Sequence, residues 1–121
     1  MRVLVADDSG VMRKIIIRAL NSMGVHDIIE AADGQIAVDK YPRSGADLVL
    51  TDWNMPGKTG LEVIQAIRAA GSTVPIIMIT TESEKRRVME AIAAGVTDYL
   101  VKPFEPDALR EKIEKHVAAL T

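Results

Sequence analysis

The sequence predicts an α/β fold: five strands in one parallel sheet, with five alternating helices on both faces. Three observations predict it. Five short apolar runs alternate with five stretches whose apolar residues recur at helical spacing, the pattern of strands joined by crossover helices. Most of the runs are continuously apolar, as burial on both faces of a parallel sheet demands. The chain is one domain long, 121 residues, and 48% hydrophobic, which is enough to bury a full core. With one Phe, one Trp and two Tyr, that core must be aliphatic.

The first strand is Val3-Leu4-Val5-Ala6, stopped by Asp7-Asp8. Ser9 and Gly10 lead into a helix over Val11 to Met23, whose Met12, Ile16, Leu20 and Met23 share one face. Gly24 is placed as its C-terminal stop. Ile28 and Ile29 form a weaker second strand, followed by a helix from Gln35 to about Tyr41 that Pro42 should close. Leu48-Val49-Leu50 is the third strand; it ends on Asp52, and Met55-Pro56-Gly57 and Gly60 then punctuate a loop. Leu61, Ile64 and Ile67 give the stripe of a helix ended by Gly71.

Val74 to Thr80 is the most strand-like segment, with Pro75 tolerable only near its start. A charged helix is expected over Glu84 to Ala94, carrying Lys85, Arg86 and Arg87 and stopped by Gly95. Tyr99-Leu100-Val101 is the last strand and terminates at Lys102-Pro103. Pro106 suits the first turn of a final helix, with Leu109, Ile113, Val117 and Leu120 on its apolar face. Glu105 before it is a poor residue for a helix N-cap.

Composition narrows the function. A net charge of −2 rules out the overall basic character of a non-specific nucleic-acid binder. Without cysteine there is no disulfide, thiol nucleophile or thiolate metal site. No apolar run approaches the ~18 residues of a membrane span, and Met1-Arg2-Val3 enters a strand with no signal-peptide run. A cytoplasmic protein bound to neither membrane nor nucleic acid is expected. Met1 and the terminal Leu120-Thr121 suggest a complete single-domain protein over residues 1–121.

What stands at the carboxyl ends of the strands carries the chemistry: Asp7-Asp8, Asp52, Thr80 and Lys102. In a parallel sheet these ends share one edge, where open α/β folds place their sites. Each residue alone has a plain structural reading. Asp52 could cap a loop, Asp7-Asp8 could be a turn pair, Thr80 a sheet residue and Lys102 a solvated lysine. Together they offer three carboxylates that repel one another unless something positive intervenes. Lys102 supplies one charge, and the remainder is an oxygen ligand set for a hard divalent cation, for which Mg²⁺ fits best. A nucleophilic oxygen, such a cation and donors for phosphoryl oxygens are what phosphoryl transfer needs.

On these motifs the sequence resembles the receiver domain of two-component response regulators across nearly its full length. The matching runs are Val3-Leu4-Val5-Ala6-Asp7-Asp8-Ser9, Asp52-Trp53-Asn54-Met55-Pro56-Gly57, Ile79-Thr80 and Lys102-Pro103-Phe104. Within the family it looks most like the single-domain chemotaxis regulators of the CheY type. The resemblance implies the flavodoxin-like strand order 2-1-3-4-5 and a cis Lys102-Pro103 peptide. It implies that Asp52 accepts a phosphoryl group from the phosphohistidine of a sensor histidine kinase. It further implies Mg²⁺ held by Asp8, Asp52 and the backbone carbonyl of Asn54, with Asp7 acting through water. Thr80 and Lys102 would hold the phosphoryl oxygens, and Tyr99 would be the aromatic switch.

By the same resemblance the chain would be a monomeric signalling switch and not an enzyme, promoting only its own phosphorylation and dephosphorylation. Its target would be the flagellar motor switch, or another partner on the last two strands and helices with Lys85, Arg86, Arg87, Lys112 and Lys115. Those charges also suit an ordinary solvated face. The alternatives are a phosphorelay or phosphate-sink receiver, a receiver cut from a longer regulator and, in another class, an aspartate-nucleophile phosphatase. The last wants Asp-x-Asp where this chain has adjacent Asp7-Asp8. A flavin module would need a phosphate-cradling loop there, and Asp7-Asp8 would repel phosphate without a metal.

Some positions depart from the family pattern. Thr81 stands where a small residue is usual and should narrow the approach to the site. Lys58-Thr59-Gly60 stands where an Asp before the glycine is common, and no function is attached to that. Asn54 and Glu82 should tune the lifetime of the phosphoryl group. Trp53 should have one face near the site. His26 and His116 are expected to be structural or solvated.

Overall fold

The computed structural model describes residues 1–81 and 87–117. Strands and helices alternate as β1 (Arg2–Ala6), α1 (Gly10–Ser22), β2 (Asp27–Ala31), α2 (Gly34–Ser44), β3 (Leu48–Thr51), α3 (Gly60–Ala69), β4 (Ile76–Thr81), α4 (Val88–Ala94), β5 (Asp98–Lys102) and α5 (Pro106–His116). All neighbouring strands pair in parallel, in the order β2-β1-β3-β4-β5.

Side chains of a strand point alternately to its two faces, and here each face meets its own helices. Val3, Val5, Leu48, Leu50, Ile77 and Ile79 pack with Ile16 and Leu20 of α1 and with Leu109 and Ile113 of α5. Leu4, Ala6, Val49, Ile76 and Met78 turn the other way, onto Ala37 of α2, Val63, Ile64 and Ile67 of α3, and Ala91 of α4. Each fully buried Leu or Ile contributes about 1.5 to 3 kcal/mol. A charge at Leu50, which is buried completely, would strand an ion in that interior and break the sheet.

The helices begin where local chemistry supplies a cap. Ser9 Oγ accepts from the Met12 N–H, and Asp33 Oδ1 accepts from the Ile36 N–H. Thr59 and Glu62 cap one another reciprocally at the start of α3. α5 starts on Pro106, and Glu105 makes no side-chain cap among the described residues, as its side chain led one to expect. Gly24, Gly71 and Gly95 all follow helices with positive φ, which suits the stops expected of them.

Pro42 is a correction. It does not end α2 at Tyr41; the helix runs through it to Ser44 and stops at Gly45, in the left-handed conformation. The terminal turn is held by other groups. Ser44 Oγ donates to the Tyr41 carbonyl, and Arg2 Nη1 donates to the carbonyl of Ser44. β4 starts at Ile76 rather than Val74, leaving Pro75 just outside it, where its carbonyl accepts the Val49 N–H. The expected start of α4 at Glu84, together with Glu82, Lys85, Arg86 and Leu120, lies outside the described residues.

Candidate functional site

The carboxyl edge of the sheet is built by register. Ala6 pairs with Thr51, so the next residues, Asp7 and Asp52, leave the sheet side by side. The Asp52 N–H still donates to the Ala6 carbonyl, at 2.9 Å. On the other side Thr80 pairs with Val101 and Thr81 with Lys102. Four strand ends therefore deliver Asp7, Asp52, Thr80 and Lys102 to one edge, and Asp8 follows directly on β1.

Lys102 Nζ lies 3.0 Å from Asp7 Oδ2 and 3.4 Å from Asp52 Oδ2. All three side chains are largely withdrawn from solvent, Asp7 almost completely. The other Asp7 oxygen accepts the Ser9 N–H at 2.9 Å, and Asp52 Oδ1 accepts the Trp53 N–H at 2.7 Å. Asp8 is exposed, yet Asp7, Asp8 and Asp52 each place an oxygen within 4.8 Å of the others. One ammonium therefore faces three carboxylates.

Asp52 responds mainly to its burial. Burial, foremost, raises its carboxyl from 3.8 to about 6. The Lys102 ammonium pulls against the rise, Asp7 adds to it, and the Trp53 N–H opposes it. A second cation in the acidic group would restore the ionised form. The oxygen-only donor set suits a hard divalent ion that keeps some of its water, so the residues present fit Mg²⁺.

The backbone that carries Asp52 is closely packed. The Gly60 N–H donates to the Trp53 carbonyl at 2.8 Å. A Cβ at Gly60 would come within 2.2 Å of the Asp52 carbonyl oxygen, so α3 begins against the strand end only because residue 60 has no side chain. Trp53 is buried, with the Arg87 guanidinium 5.5 Å from its ring centre. Its backbone N–H donates to the Asp52 carboxylate.

Thr80 is buried near the end of β4, Thr81 is the exposed last residue of that strand, and Asn54 is exposed in the loop after β3. Tyr99 is half-buried, pairs with Met78 two residues before Thr80, and packs on the α2–α3–α4 side of the sheet. The Lys102–Pro103 peptide is cis. His26 is exposed and pairs with Asn21.

Three features escaped the sequence reading. Arg13 donates to the Asp7 carbonyl and pairs with Glu30. Arg87 covers Trp53. Asp98 gathers the Tyr99 N–H, Lys112 Nζ at 3.0 Å and His116 Nε2 at 2.8 Å, so Lys112 and His116 are not simply solvated. Burial alone would raise the Asp98 carboxyl; donation from His116, Lys112 and Tyr99 outweighs it and holds the group below its usual range. Only the α5 spacing of Lys112 and His116, one turn apart on one face, hinted at a shared partner.

Comparison with known proteins converges on one family. The family described as response regulator receiver domain matches residues 3–114. The chemotaxis protein CheY1 of Helicobacter pylori is 46% identical over 117 residues, covering 94% of each chain. The chemotaxis protein CheY of Pseudomonas aeruginosa is 41% identical, covering 95% of this chain and 94% of its own. Among solved structures, the chemotaxis protein CheY4 of Vibrio cholerae superposes with a TM-score of 0.88 at 35% identity, over 96% of this chain and 98% of that one.

Proposed function

On the premise that this chain belongs to the receiver-domain family of response regulators, we propose that it is a phosphorylation-activated switch with Asp52 as phosphoacceptor. One observation carries the reading: Lys102 Nζ spans Asp7 and Asp52 beside Asp8. This is a carboxylate nucleophile with a fixed cation on one side and room for a second on the other.

The donor is the phosphohistidine of a sensor histidine kinase. An Asp52 carboxylate oxygen forms a bond to phosphorus as the N–P bond breaks, and the departing imidazole takes its proton from solvent. Asp8, Asp52 and the carbonyl of Asn54 would hold Mg²⁺, with Asp7 acting through water. When bound, the ion supplies positive charge to the phosphoryl oxygens. Lys102 and Thr80 donate to those oxygens. Loss of the phosphoryl group to water breaks its bond to Asp52 and returns inorganic phosphate, so the chain promotes only its own loading and unloading.

The added group brings roughly −1.5 to −2 charges and three acceptor oxygens. Drawing Thr80 toward them vacates space beneath β4, and Tyr99 rotates inward to fill it. The altered surface lies on β4, β5, α4 and α5. The relatives named above are chemotaxis proteins, so the target we favour is the flagellar motor switch.

The test is labelling from a small phosphodonor and from a phosphorylated kinase, both with Mg²⁺. The parent chain should take up label and Asp52→Asn should not; equal uptake would end the proposal. Addition of Mg²⁺ should change Trp53 emission, and a flat titration would remove the metal site. Capture of a motor-switch protein only in the presence of beryllofluoride supports the chemotaxis role. Return of label to a second phosphohistidine protein, without capture, would make the chain a relay or sink.

A further inference from the structure

We propose that Arg13 is a positioning residue for the cation: it locks the turn carrying Asp7 and Asp8, and so sets the affinity of the acidic group for Mg²⁺. The inference rests on the reading of that group as a Mg²⁺ site.

Asp8 is the exposed member of the group, and among the described residues no hydrogen bond or ion pair anchors its side chain. Its place is set by the backbone on either side. After it, the Ser9 N–H closes back onto Asp7 Oδ1. Before it, the Asp7 N–H donates to the Ala31 carbonyl at the end of β2, at 3.1 Å. The Asp7 carbonyl accepts from Arg13 Nη1 at 2.7 Å.

Arg13 reaches this carbonyl from the first turn of α1 while its Nε pairs with Glu30 Oε1 of β2 at 3.0 Å. Its side chain is only 20% exposed. The fork thus ties three elements at one point: the β1–α1 turn, α1 itself and β2. Glu30 takes up the charge of the guanidinium, which leaves Arg13 to act on the turn through geometry rather than by neutralising the site. Groups one step removed from a metal commonly govern its affinity in this way. A lysine ammonium has three donors, but all on one nitrogen at the end of a flexible stem. The guanidinium presents Nη1 and Nε as a rigid fork to the two partners, so lysine does not reproduce both bonds in this geometry.

The experiment follows Mg²⁺ binding by calorimetry and by Trp53 emission in the parent chain, Arg13→Ala, Arg13→Lys and Glu30→Gln, with the melting temperature of each metal-free protein. Arg13→Ala should bind Mg²⁺ about tenfold more weakly, Arg13→Lys should restore little, and Glu30→Gln should fall between. At saturating Mg²⁺ the rate of labelling of each variant should return close to that of the parent. Mg²⁺ affinity within twofold of the parent in Arg13→Ala, whatever its melting temperature, would overturn the proposal. So would full rescue by lysine. Should Arg13→Ala fail to fold, unchanged affinity in Glu30→Gln together with Arg13→Lys overturns it equally. A parent chain that binds no Mg²⁺ would instead defeat the site on which the inference stands.

Discussion

The two edges of the sheet carry the same chemistry under opposite conditions. At the amino edge Arg2 pairs with Asp27 at 2.9 Å, takes Asp47 Oδ2 on its backbone N–H and donates to the Ser44 carbonyl. Arg2 and Asp27 are 44% and 57% exposed, so water screens them. At the carboxyl edge Lys102, Asp7 and Asp52 are 14%, 1% and 10% exposed at similar separations. An exposed pair contributes little. A buried cluster with more acid than base holds unresolved repulsion that a ligand can relieve. The amino edge ties the chain together, and the carboxyl edge is left wanting a charge.

The sharpest way to break this contrast is to remove the cation from each edge. Lys102→Met should destabilise the metal-free protein by about 3 kcal/mol, because two buried carboxylates lose their counter-ion. Arg2→Met should cost about 1 kcal/mol. Denaturant unfolding at neutral pH measures both, and equal losses would erase the distinction.

Proton linkage sharpens it next. The folded-state value of Asp52 is raised to about 6, so the folded chain holds a proton there that the unfolded chain releases at lower pH. The stability this confers is present below about pH 4 and is lost as pH rises through about 6. Relative to Asp52→Asn, the metal-free parent should lose about 2 to 3 kcal/mol between pH 4 and 7. Mg²⁺ should recover part of that loss in the parent and little of it in Asp52→Asn.

Asp98 gives the opposite sign. Its carboxyl is held below the usual range, so its contribution is present above the ordinary carboxylate value and lost as pH falls through the depressed one. Asp98→Asn should cost about 1 to 2 kcal/mol at neutral pH and progressively less in acid. A cost independent of pH would mean that the Lys112 and His116 contacts do not matter.

The smallest effect concerns access. Thr81 is exposed at the end of β4, and Thr81→Ala should speed loading by a small phosphodonor by at most about tenfold, the worth of about 1.4 kcal/mol. Equal rates would show that the approach is already open.

Much of this was legible because strands buried on both faces must be apolar throughout, and because the polar residue that stops each run marks the same edge. Val3 to Ala6 and Leu48 to Leu50 could hardly be read otherwise, and their stops, Asp7 and Asp52, meet as expected. What escaped depends on long side chains whose reach no spacing fixes. Arg13 bridges to Glu30 across 17 positions, and Asp98 finds His116 across 18. Pro42 was misread for a related reason. Proline removes one N–H and crowds the carbonyl four residues back. Yet here the helix runs on through Pro42 to Ser44, with Ser44 Oγ on the Tyr41 carbonyl and Arg2 on the Ser44 carbonyl.

Gly60 sets a boundary for anyone who would redesign this protein. Alanine is the smallest departure available at that position, and its one methyl would already collide with the carbonyl oxygen of Asp52, the phosphoacceptor we propose. On the proposed reading, changes meant to tune speed or lifetime belong on the rim, at positions such as the exposed Asn54 and Thr81. At residue 60 the alphabet has a single letter.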